Sequence, residues 1–115
     1  MVMPNFSPRL GGRMSLAEKK RRLLDFLQQR VFGPISRAKA TGPDASFIRD
    51  AQRAVERTAA RYPNYGSAAE VKGAFISDLR SEVGQKLAAL LQMLNLPRFE
   101  DIETEFMSLC RELSV

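Results

Sequence analysis

Arginine recurs at every fourth position through FIRDAQRAVERTAARY, residues 47–62, at Arg49, Arg53, Arg57 and Arg61. A guanidinium is charged at every accessible pH and presents a planar fork of donors that fits carboxylates and phosphates. The chemistry open to such a row is recognition of anions rather than bond making. Four-residue spacing on a helix advances about 6 Å along the axis, close to the separation of phosphates along a nucleic-acid strand. The row drifts across the flank opposite Phe47, Ala51, Val55 and Tyr62, so it points away from a core. Asp50 and Glu56 lie among the arginines, and residues 46–62 carry four cations against two acids. A merely solvated helix face therefore competes with a face that grips a ligand.

The run EKKRR, residues 18–22, concentrates Lys19, Lys20, Arg21 and Arg22. Four consecutive cations cannot share one helical face, so they wrap around the first turns of a helix. Lys20 falls within an apolar stripe, where its stem can lie on leucines while the ammonium reaches water. A cationic helix start also opposes the helix dipole, which favours acids there. Phosphate or carboxylate binding explains that cost, and so does exposure at a frayed end.

Other chemistries are poorly supplied. The chain has no histidine, which removes His-based acid–base catalysis, His-containing triads and His metal ligands. The acids of EDIETE, residues 100–105, together with Glu112, spread around a helix: Asp101, Glu105 and Glu112 face water, and Glu103 lies near the apolar edge. They give no metal-ligand pattern, but they form an acidic stripe that could meet the arginine row between molecules. Cys110, the single cysteine, excludes an intramolecular disulfide and reads as a buried, inert thiol suited to a reducing cytoplasm. Neither an enzyme nor a resident cofactor is expected. Tyr62 and Tyr65 could stack on bases, although packing at a turn suits them better.

Four helices are needed to position these groups. SLAE, residues 15–18, is a capping box that opens the first, whose inner face is Leu16, Leu23, Leu24, Leu27 and Val31. Gly33-Pro34 should stop or sharply kink it. The second starts at Asp44 or Ser46, faces inward through Phe47, Ala51, Ala54, Val55, Thr58 and Tyr62, and stops before Pro63. A second capping box, SAAE at 67–70, opens a long third helix reaching Leu94, with Gly84 the place for a bend. The fourth follows Pro97, placed for a first helical turn, and repeats Phe99, Ile102, Phe106, Leu109 and Leu113. No stretch alternates as a strand does. The expected fold is all-α, an antiparallel bundle of about four helices.

With 115 residues the chain suits one domain over 15–115, after a basic tail over 1–14 that bears no signal-peptide pattern. No apolar run approaches a membrane span. Net charge is +5, but residues 1–62 hold 13 Lys/Arg against 5 Asp/Glu, and residues 63–115 hold 5 against 8. Halves of opposite sign suggest polyanion binding or pairing between unlike surfaces. Gly73, Ser77, Ser81, Gly84 and Ala88 form a row of small residues beside the third helix's apolar stripe, either for a neighbouring helix or as a seam in a homo-oligomer. A helix-turn-helix across residues 47–94 lacks the motif's glycine spacing, and Asp78 and Glu82 would repel phosphates. The sequence reads as an interaction or assembly module that offers a basic surface to an acidic protein or a second copy. Nucleic-acid binding through the same lysines and arginines is the alternative.

Overall fold

Ser15 fixes the start of the first helix. Its hydroxyl accepts from the Glu18 backbone N–H at 3.1 Å, while the Glu18 carboxylate accepts from the Ser15 N–H at 3.2 Å. The computed structural model describes residues 14–115. The tail expected over 1–14 therefore lies outside the described residues except for Met14, which packs against the core.

Helix α1 spans 16–37 in three consecutive segments: an α-helix Leu16–Leu27, a π turn Gln28–Phe32 and a final stretch Gly33–Arg37. The expected stop at Gly33-Pro34 does not occur. The Gly33 N–H donates to the Gln28 carbonyl, five residues back, and Pro34 opens the last segment. Proline's ring and missing N–H are accommodated because the preceding turn has already widened. Glycine is required at 33, since a Cβ there would lie 2.6 Å from the Gln28 oxygen. The helix ends at Ala38, where ψ is 143°. The Gln52 amide then donates to the Ile35 and Ala38 carbonyls at 2.9 and 2.7 Å, tying that end to α2.

Helix α2 covers Ala45–Ala59, α3 Ala68–Leu79, α4 Glu82–Met93 and α5 Phe99–Glu112. Among the described residues the fold is thus all-α, with five helices and no strand. The expected long third helix is two helices, broken at Arg80 and Ser81 and not at Gly84. Ser81 donates to the Asp78 carbonyl from both its N–H and its hydroxyl, at 3.2 and 2.7 Å. Gly84 then presses the first turn of α4 onto the end of α3, and a Cβ there would sit 2.6 Å from the Asp78 and Leu79 oxygens. The glycine permits the tight corner; it is not the hinge.

The core takes Leu23, Leu27, Val31 and Ile35 from α1 and Ile48, Ala51 and Val55 from α2. Val71 and Phe75 come from α3, Leu87, Leu90 and Leu91 from α4, and Ile102, Phe106 and Cys110 from α5. Phe75 and Phe106 lie at its centre, ring centroids 4.3 Å apart. Helix α1 packs along α3 and α5, and α2 lies along α4 and against the end of α1.

Two expected core residues lie elsewhere. Phe47 is 40% exposed and Ile48 takes its place, because α2's inner arc centres on Ala51, Val55 and Thr58. Leu16, at the first helical position, is 76% exposed, beyond the last layer of the core. Pro97 also falls outside its helix, since Arg98 is the residue that precedes α5. Asn95 (φ 56°) ends α4 and Ser114 (φ 57°) ends α5. In both places the following N–H returns to a carbonyl five residues earlier, Leu96 to Leu91 and Val115 to Cys110, closing the helix with left-handed backbone.

Candidate functional site

Helix α2 buries Ile48, Ala51, Ala54, Val55 and Thr58, which turns Arg49, Arg53, Arg57 and Arg61 outward, and all four are exposed. The interleaved acids form no ion pair with the row. Asp50 accepts instead from Lys86 of α4 at 3.1 Å, and Glu56 accepts a hydrogen bond from the Ser36 hydroxyl at the end of α1. Lys86 also reaches Glu82 at 3.3 Å. The hydrogen bond to Asp50, then that to Glu82, holds the Lys86 ammonium above its ordinary pKa. Among the described residues, Arg49, Arg53 and Arg57 make no ion pair. Arg61 Nη2 lies 3.5 Å from Thr58 Oγ1. The result is a line of exposed guanidinium groups whose acidic neighbours are engaged by other helices.

The four cations of α1 do not form one patch. Lys19 and Lys20 are half-buried, while Arg21 and Arg22 are exposed. Lys20 Nζ donates to the Pro63 carbonyl at 2.8 Å, fastening the start of α1 to the turn after α2. Arg22, about 200° further around the helix, lines a groove shared with α5. Lys20 was legible as a residue within the apolar stripe, but its anchoring contact was not, because it depends on a loop 43 residues away.

The acidic stripe of α5 is also partly engaged inside the chain. Glu105, expected to face only water, accepts a two-pronged pair from Arg30, whose second nitrogen lies 3.0 Å from Oε2. The same guanidinium stacks 5.6 Å above the Phe26 ring. Asp101 lies 3.7 Å from Arg98, and Glu100 and Glu112 remain exposed. Asp78 is half-buried and accepts from the Tyr62 hydroxyl at 2.5 Å. Tyr62 itself is 2% exposed and packs edge-on against Phe32 and Tyr65, so its ring offers no face for a base.

The break between α3 and α4 divides the row of small residues. Gly73 and Ser77 are exposed on α3, Ser81 hydrogen-bonds at the corner, Gly84 is buried against it, and Ala88 lies half-buried on α4. Cys110 is fully buried, and burial raises its thiol pKa. Among the described residues no group of three or more His, Cys, Asp or Glu could hold a metal ion, and no helix is long and apolar enough to cross a membrane.

No protein-family model matches the chain, and neither a curated protein nor a solved structure shows detectable similarity to it.

Proposed function

We propose that this protein is a non-enzymatic interaction module whose α2 face, Arg49, Arg53 and Arg57, binds an acidic protein surface. One observation carries the reading: the acids within the row, Asp50 and Glu56, are bonded to Lys86 and Ser36, which leaves the exposed arginines without ion pairs among the described residues. Guanidinium groups held on a packed helix are pre-aligned for carboxylates, so less freedom is lost on binding. Their position at the surface favours steering and register over raw affinity. Lys20, spent on Pro63, contributes to the fold more than to the binding face. The proposal includes a cytoplasmic setting, on the strength of the single buried thiol.

Nucleic-acid binding is the second reading, and the observation that favours it is the exposure of arginines about 6 Å apart along the axis. Titration with labelled polyglutamate and with duplex DNA, at several salt concentrations, separates the two. Tight, salt-weakened binding of polyglutamate supports the acidic-protein reading. Preference for DNA, with log K falling steeply against log salt, supports the second. Binding of neither at low salt, where charges are least screened, removes both.

A further inference from the structure

An open groove of about 510 Å³ runs between α1 and α5. Phe26 and Leu109 line its apolar part, and Arg22, Asp25, Glu105 and Glu112 its charged part. The two helices run antiparallel there. Arg30 pairs with Glu105 at one end, Phe26 meets Phe106 at 5.9 Å, and Arg22 shares the groove with Glu112 at the other. Glu105 to Glu112 is seven residues, about 10 Å of helix. Three acids face Arg22 in the lining, and with Glu105 already paired to Arg30 the groove keeps a net charge of −1. Asp25 and Glu112 make no ion pair among the described residues, while Glu105 is held in position by Arg30.

The row on α2 matches this groove in length and opposes it in charge. Arg49 to Arg57 covers eight residues, about 12 Å, with a guanidinium every 6 Å or so. Arginine stems can lie along Phe26 and Leu109 while their heads reach the acids. Phe26 already holds one guanidinium, that of Arg30, 5.6 Å from its ring centre. We propose that the α1–α5 groove receives α2 of a second copy of this chain, the Arg49–Arg53–Arg57 row lying along Asp25, Glu105 and Glu112. This rests on reading the row as an anion-binding face and names its partner. Row and groove are separate patches, so the contact is heterologous and copies add head to tail.

Two variants test it. Arg53→Gln/Arg57→Gln removes the row and keeps the groove; Asp25→Asn/Glu112→Gln removes the groove and keeps the row. Sedimentation velocity at low salt should show wild-type protein growing beyond the monomer with concentration, and each variant alone should stay monomeric. An equimolar mixture of the two should form a 1:1 dimer and nothing larger, because one partner offers only a row and the other only a groove. All four positions are exposed, so neutral replacement leaves the core untouched. A monomeric wild type, a mixture that stays monomeric, or a mixture that grows past the dimer overturns the inference. Titrating Asp25→Asn/Glu112→Gln with polyglutamate tells the two failures apart. If polyglutamate binds, the row survives and only the second copy is wrong; if it does not, the row reading falls as well.

Discussion

The Tyr62 hydroxyl donates to the Asp78 carboxylate at 2.5 Å, joining the chain beyond α2 to the end of α3. Both residues also line a small, partly open space beside Gly84, with Phe32 and Phe75 around it. Tyr62→Phe keeps the ring and its edge-on contacts but leaves Asp78 half-buried without its donor. Such a loss costs about 1–3 kcal/mol. Urea unfolding of the variant should show a lower midpoint with an unchanged slope.

The same phenol makes stability depend on alkaline pH. Burial, then the hydrogen bond to Asp78, raises the Tyr62 pKa in the folded chain. The unfolded tyrosine ionises near its ordinary value of about 10, while the folded one keeps its proton. Stability is therefore level below that pH and falls as pH rises toward the folded value. Cys110, raised by burial, and Lys86, raised by Asp50 and Glu82, act in the same direction. Denaturation curves collected from neutral pH upward should fall less steeply for Tyr62→Phe/Cys110→Ala than for the wild type.

Two glycines should respond to alanine with opposite signs. Helix propensity alone favours alanine by about 1 kcal/mol at either position. At Gly73 a Cβ meets nothing within 4 Å, so Gly73→Ala should stabilise by roughly that amount. At Gly84 the added carbon would lie 2.6 Å from two backbone oxygens that cannot step aside, and Gly84→Ala should lose about 1–3 kcal/mol. Paired thermal melts check this; a stabilised Gly84→Ala would mean that the α3–α4 corner is looser than described.

Much of the fold was legible because amphipathic spacing and capping residues are local signals. The capping box at Ser15 and the inner face of α5 at Ile102, Phe106 and Leu113 stand as read. What escaped depends on neighbours distant in sequence. Phe47 and Ile48 are equally apolar, and only the seating of α2 between α1 and α4 decides which is buried. Gly33-Pro34 reads as a stop, and nothing in its composition announces the π turn that carries the helix through it. Ser67 is a related case: its hydroxyl caps Glu70 as expected, but the Glu70 carboxylate accepts from Gly66 and not from Ser67. The spacing placed the arginines on one outward flank. That Asp50 and Glu56 would be bonded to Lys86 and Ser36 could not be read from spacing, since both partners lie on other helices.

The central claim is that position in the α2 row, and not net positive charge, gives affinity for acidic surfaces. Titration with labelled polyglutamate at low salt, comparing Arg53→Gln/Arg57→Gln with Arg80→Gln/Arg111→Gln, tests it directly, because both pairs are exposed and remove the same charge. The expected result is a loss of about tenfold or more, some 1.4 kcal/mol, for the α2 pair and little change for Arg80, just past α3, and Arg111 on α5. Equal losses in the two variants, or none in the first, would contradict it.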